Sequence, residues 1–334
     1  MNVALSLPAV TPQAGELSLE ARGNVRGFQR AGHDVTLYYE SDLPQLAAET
    51  DEYDLVVLTY LDKTIETDET HLHHQIGGFG SQDLDPRLVA NTFQKADTVS
   101  VVDPALPEKA PWFELLDVTT DDVAMVPSPP DPDLFPARSR EHSDGTALVP
   151  NLGTEYAPDR RCARIVRHTP TVTYRAHARE ADYSLPGNVN RHPPVPVSAT
   201  PRTYGRAELV FDPAGAEALS TPCYRALCAS RAYVSANEAI GALQTLPADA
   251  VDTGNFGASV AWWQDTHRVS FFEGDHYFST NTEGLPEVLS TVMDDPELRW
   301  TVAERGREWV ETAFDDWGWQ EKAETVVELV REHD

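Results

Sequence analysis

Glu217 and Arg225 stand eight residues apart and bracket the stretch in which residue types and spacing bear most directly on chemistry. An apolar strand, Leu209–Phe211, ends at Asp212-Pro213, and a helix is predicted to open at Thr221-Pro222, with Thr221 as N-cap and Pro222 as first helical residue. A helix start at the carboxyl end of a parallel strand presents free N–H groups and the positive end of the helix dipole, a ready site for a sugar diphosphate. Glu217 can accept hydrogen bonds from sugar hydroxyls, and Ser220 adjoins the helix start. Arg225, one turn inside, can reach a phosphate bound there. The alternative is purely structural: Thr221 and Pro222 cap a helix, Glu217 is solvated, and Arg225 joins an ion pair.

His71, His73 and His74, ahead of Gly77-Gly78, are the catalytic candidates. They read as part of a loop after the third strand. An acceptor pocket, a solvated loop and a metal site are the three readings; the last has weak spacing and no clear carboxylate partner, so no metal centre is expected. Cys162, Cys223 and Cys228 form neither a CxxC pair nor a zinc knuckle and read as reduced residues filling small apolar sites.

The elements that must position these groups alternate along the chain. Strands are expected at Asn2–Leu7, His33–Tyr39, Asp54–Tyr60, Thr98–Val102 and Val123–Val126. Helices are expected at Leu17–Ala31, closed by Gly32, and near Arg87–Lys95. A polar, proline-rich linker runs from Pro127 to about Asp144. A second series follows, with strands at Ala147–Val149, Thr171–Tyr174, Leu209–Phe211, Tyr233–Ser235 and Arg268–Phe272. Its helices are Thr221–Ser230, Leu285–Met293 and Pro296–Glu311, and a last one runs from about Gln320 to Glu332. Such alternation predicts an α/β chain with two Rossmann-like halves built on parallel sheets.

Charge narrows the functions. The 334 residues include 54 acidic and 26 basic ones, a formal net charge of -28 spread along the chain. Only four of the basic residues are lysines (Lys63, Lys95, Lys109 and Lys322). Abundant carboxylates and scarce lysine point to a surface adapted to molar salt, where the Debye length falls to ~3 Å and self-repulsion is screened. An acidic face for a basic partner is the alternative. Nucleic-acid binding is disfavoured, since phosphate backbones call for basic patches. No apolar run approaches the ~18–20 residues needed to cross a bilayer, and Met1–Pro8 has no basic leader region, so the protein is expected in the cytoplasm.

Four segments resemble the group 1 (family four) glycosyltransferases, which have the GT-B fold. The opening loop, with Gly15 as a cofactor-binding candidate, leads through a helix to Arg30-Ala-Gly-His-Asp-Val-Thr-Leu37, similar to that family's first strand–loop–helix–strand. Lys95-Ala-Asp-Thr-Val-Ser-Val-Val102 and the run from Asp121 to Phe135 look like its "ADxV" strand and its "V-I-P-N-G-V-D-x-x-x-F" exit from the N-terminal domain, with Asp131 and Phe135 in place. Glu217 to Ser235 is similar to "E-G-F-G-x-P-x-x-E-A-x-A-x-G-x-P-V", with Arg225 at the second glutamate and Ser230 at a glycine. Asp294 to Trp319 looks like the closing "D-D-P-E-L-R…A-R…F-S-W" run. Between Ala147 and Pro186 the family carries an arginine and a Lys–Gly that hold the donor diphosphate; the candidates here are Arg160 and Arg161.

The resemblance implies two Rossmann-like domains facing a cleft: an acceptor-side domain over 1–136, a donor domain over 145–312, and a 313–334 helix crossing back to pack on the first. It implies transfer of a hexose from a nucleotide sugar to a glycan, lipid-linked or small-molecule acceptor with retained configuration, the donor nucleotide being the only expected cofactor. A lipid-linked acceptor would bring peripheral membrane contact. The family's second glutamate accepts hydrogen bonds from the donor ribose, and Arg225 has no acceptor to offer. That change supports a competing class, a non-catalytic homologue that binds sugar or pairs with an active enzyme. A sugar-nucleotide epimerase of the same architecture is the third reading. The chain, divergent from the family, fits a halophilic archaeon.

Overall fold

The computed structural model describes residues 1–7, 17–60, 63–76, 86–102, 123–135, 143–150, 165–177, 186–193, 195–212, 221–236, 276–280 and 283–333. They fall into two compact units, Met1–Pro129 with Trp317–Asp334, and Pro130–Asp316. The first holds strands β1 (Asn2–Leu7), β2 (Asp34–Tyr39), β3 (Leu55–Leu58), β4 (His71–Ile76), β5 (Thr98–Val101) and β6 (Ala124–Met125), and helices α1 (Leu19–Arg30), α2 (Leu43–Ala48) and α3 (Pro86–Lys95). The second holds β7 (Ala147–Val149), β8 (Tyr174–His177), β9 (Val189–His192), β10 (Leu209–Asp212), β11 (Ala232–Ala236) and β12 (Phe278–Thr280). Its helices are α4 (Thr200–Arg206), α5 (Thr221–Cys228), α6 (Leu285–Asp294) and α7 (Pro296–Asp316). Helix α8 (Trp319–Arg331) belongs to the first unit. The sheet orders are β2-β1-β3-β4-β5-β6 and β12-β11-β10-β7-β8-β9, parallel throughout. Among the described residues no helix is long and apolar enough to cross a membrane.

The expected strands at β1, β3, β7 and β10 are present and buried on both faces, apolar throughout in β3 and β7 and interrupted only by Asn2 and Ser6 in β1 and by the terminal Asp212 in β10. The reading of His71–His74 as a loop is corrected: these residues open β4, between β3 and β5. Strands β9 and β12 and helices α2 and α4 are further elements beyond the expected set. The strand expected at Thr171–Tyr174 begins only at Tyr174, and the one expected at Arg268–Phe272 lies outside the described residues.

Helix α1 ends as its sequence predicts. Gly32 takes φ +82°, His33 N–H donates to Phe28 O (3.0 Å) and Gly32 N–H to Gln29 O (3.1 Å), which is the Schellman arrangement. Helix α5 closes in the same way without a glycine. Ser230 sits at φ +54°, Arg231 N–H donates to Ala226 O (2.9 Å), and Ser230 N–H donates to Leu227 O (2.9 Å). A side chain in the left-handed region carries a strain of ~1 kcal/mol or more that glycine lacks. Ser230→Gly is therefore expected to raise stability by about 1 kcal/mol, visible as a higher urea midpoint with unchanged slope. A lower midpoint would show that the buried Ser230 side chain contributes more than its backbone costs.

One face of the first sheet packs Ala4, Val56, Leu58 and Leu72 against Leu46 of α2 and Tyr60. Helix α8 lies along α1, where Gly23 and Gly27 make room for Trp319. A Cβ at Gly23 would overlap the Trp319 indole, and one at Gly27 would overlap the Trp319 carbonyl oxygen. Trp317 donates its indole N–H to Pro127 O (3.0 Å). One helical turn along α8 from Gly318, Lys322 is 1% exposed. Its Nζ is 3.1 Å from Ser128 Oγ and 4.9 Å from the Trp319 ring centroid.

In the second unit, Ala147, Val149, Tyr174, Ala176, Leu209, Phe211 and Val234 form a core with Leu285, Leu289 and Val292 of α6. Arg307 of α7 gathers three carbonyls, donating from Nη1 to Phe135 O (2.7 Å), Pro132 O (3.3 Å) and Cys228 O, while Nε meets Glu311 (2.6 Å). The guanidinium thereby ties the entry segment of this unit to the end of α5.

Candidate functional site

Of the donor-site candidates, Thr221, Pro222 and Arg225 lie on α5, the helix that follows β10 in the chain. Strand β10 ends at Asp212, which is wholly buried and accepts a hydrogen bond from Tyr233 Oη (3.0 Å) on β11. Register pairs Asp212 with Ser235. Helix α5 starts at Thr221, so Thr221 and Pro222 lie in its first turn, as close to N1 and N2 as to the expected N-cap and N1. Cys223, 0% exposed, seats this turn: burial, and then the Asp212 carboxylate, hold its thiol protonated. Cys228 at the other end is pushed up to about 12, chiefly by burial. Neither forms a disulfide, and both are buried, protonated thiols that fill space. Arg225 is half-buried one turn in from the helix start. The backbone therefore sets an eight-residue helix, with its N–H-bearing end after the carboxyl end of a parallel strand and an arginine one turn along it. Glu217, Ser220, Arg160, Arg161 and Gly15 lie outside the described residues.

The histidines occupy a different place from the expected loop. His73 and His74 are both 0% exposed, on opposite faces of β4. His73 Nδ1 lies 2.8 Å from Thr98 Oγ1 and its Nε2 lies 2.9 Å from Ser100 Oγ, both on β5. His74 Nδ1 bonds Tyr60 O (3.1 Å), so that nitrogen carries the proton, and Nε2 meets Thr64 Oγ1 (3.0 Å). Burial lowers their pKa values to about 3 and about 4, with the Coulombic effect of His74 and Lys322 adding to the shift at His73. Both rings are neutral near pH 7 and have their two nitrogens occupied; each ties β4 to its neighbours. His71 is half-buried at the start of the strand, its Nδ1 3.9 Å from Asp97 Oδ2. The expectation of three histidines acting together in a loop is thus replaced by a strand whose polar interior is self-satisfied.

No protein-family description and no curated protein matches this chain. Solved structures do. HepE from Anabaena, in complex with UDP-glucose, aligns with a TM-score of 0.67 at 12% identity, over 99% of this chain and 100% of that one. WaaG, a glycosyltransferase involved in lipopolysaccharide biosynthesis, aligns with a TM-score of 0.65 at 13% identity over 97% and 99%. The fold is GT-B. Sucrose-phosphate synthase from Thermosynechococcus elongatus shares it, with a TM-score of 0.65 at 13% identity over 99% and 98%. At these identities the likeness is one of fold. It assigns the two parallel sheets and the return of α8 to the first unit to the GT-B architecture.

One further group of side chains in this GT-B chain lies outside the motifs that its sequence displays. Arg175 and His177 on β8, His192 on β9, and Arg202 and Arg206 on α4 face a common hollow. A signal was present: residues 160–206 contain nine arginines and only two acids, Glu180 and Asp182, in a chain with twice as many acidic as basic residues.

Proposed function

We propose that the protein is a glycosyltransferase that moves a hexose from a nucleotide sugar to a glycan, lipid-linked or small-molecule acceptor with retained configuration. The observation that carries this reading is the β10–α5 junction, with Arg225 one turn inside the helix, on a GT-B fold. The first-turn N–H groups and Arg225 would bind the donor diphosphate and stabilise the charge that develops on the leaving nucleotide. Glu217 would hold the sugar hydroxyls and orient the anomeric carbon, so catalysis would rest on positioning and electrostatics. Arg160 and Arg161 would supply further positive charge toward the diphosphate. Working conditions would be molar salt, in keeping with the net charge of -28.

The test is nucleotide-sugar binding in high potassium chloride. The parent is expected to bind, and Glu217→Gln to weaken binding about ten- to a hundredfold, the loss of a charged hydrogen bond. Arg225→Glu is expected to weaken it further by placing a carboxylate against the diphosphate. One feature favours a second reading, a non-catalytic GT-B homologue: Arg225 stands where the resembled family has its ribose-binding glutamate. If Arg225→Glu binds a donor that the parent does not, this second reading holds. If no folded variant binds, both readings are lost.

A further inference from the structure

The edge of the second sheet carries a hollow of about 450 Å³, within the range of small-molecule sites. Register places Arg175 beside Asn190 and His177 beside His192, so these four side chains share one face of β8 and β9. Helix α4 adds Arg202 and Arg206 to the same hollow. Arg175 is 8% exposed and held in place, with Nη1 on Asp144 and Nη2 donating to Thr203 O (2.7 Å). That pair uses the acid in the lining. Arg202 and Arg206 are exposed and have no ion-pair partner among the described residues. The His177 and His192 rings lie with centroids 5.3 Å apart, tilted by 35°. His177 Nδ1 donates to Pro193 O (2.9 Å), which leaves Nε2 for a ligand.

We infer that this hollow binds a soluble phosphate ester. In a chain of net charge -28, two unneutralised arginines, Arg202 and Arg206, beside the paired Arg175 form a local field of the opposite sign, which concentrates small anions. Guanidinium forks and the Asn190 amide match the oxygens of a phosphate, and the bare Nε2 of His177 can accept from a hydroxyl of the ester. The buried Arg175 gives the floor of the site a fixed donor geometry, and the concave shape suits a small molecule better than a bilayer. The strands of the hollow, β8 and β9, lie on the far side of β7 from β10, while α4 packs against α5, so the donor and the phosphate ester are tested against each other.

The experiment is calorimetric titration of the full chain with inorganic phosphate and with glycerol 3-phosphate at fixed potassium chloride, alongside vesicles containing phosphatidylglycerol. Saturable 1:1 binding of the soluble probes is expected. It should weaken at least tenfold in Arg202→Ala/Arg206→Ala, whose exposed positions leave the fold intact, and should be unchanged in Glu217→Gln. UDP-glucose binding by the double variant should equal the parent's, which separates this site from the donor reading. No binding of either soluble probe by the parent, equal binding by the double variant, or binding of vesicles alone would overturn the inference.

Discussion

Gly27→Ala is expected to destabilise the first unit by about 3 kcal/mol or more, although alanine ordinarily favours a helix over glycine by ~1 kcal/mol. The sign reverses because the added methyl group would meet the backbone carbonyl of Trp319, and backbone cannot rotate out of the way. Helix α8 would have to lift from α1, taking the buried Trp319, Ala323, Val326 and Val330 with it. Gly23 gives the matching control. There the obstacle is the indole ring alone, so Gly23→Ala should be partly rescued by Trp319→Leu, whereas Gly27→Ala should not be. Urea unfolding of the four variants measures both effects. A Gly27→Ala protein as stable as the parent would mean that α1 and α8 do not pack this closely in solution.

The second large effect is expected at Lys322. Burial lowers its pKa from 10.5 to about 7, against a partial opposing contribution from Glu20. The folded protein therefore binds fewer protons than the unfolded chain between about pH 7 and pH 10.5, and stability rises with pH across that window. Below about pH 7 the penalty is fully present, a cost on the order of 5 kcal/mol for charging the buried amine. Lys322→Met keeps the length of the side chain and removes the charge. It should stabilise the protein by about 1–4 kcal/mol at neutral pH and flatten the rise in stability between pH 7 and pH 10. Thermal melts at pH 6, 7, 8, 9 and 10 for both proteins provide the comparison. A parent melting temperature that is flat over this range, or a less stable Lys322→Met, would show that the ammonium is adequately solvated by Ser128 and the Trp319 ring. His73, whose pKa burial lowers to about 3, stays neutral throughout and adds no slope.

What was legible from sequence follows from which elements carry an apolar pattern. Leu55–Leu58 is a four-residue run buried on both faces, and the alternation of such runs with helices was enough to predict the two parallel sheets. His71–Ile76 lacks that pattern. Its interior is polar and becomes compatible with burial only through Thr98, Ser100, Thr64 and Tyr60, which come from other segments. Val189–His192 was missed for the opposite reason: it is an edge strand, and its exposed Asn190, Arg191 and His192 are the polar residues by which an edge avoids further pairing. The candidate donor site was legible as a strand–loop–helix with Arg225 one turn inside. The hollow at β8 and β9 was not, because its residues come from three stretches whose register only the folded sheet defines.

The division of the chain has a consequence for its birth on the ribosome. The first unit is interrupted: it runs to Pro129 and resumes at Trp317. Its sheet and α1 emerge early, but the cover for the Gly23–Gly27 groove emerges only after residues 130–316 have been made. At ~5–20 residues per second that delay is roughly ten to forty seconds, longer than most helices and small sheets need to form. Throughout it, the nascent first unit presents an open apolar seam on α1. The second unit thus has time to assemble before α8 emerges and latches the older half of the molecule.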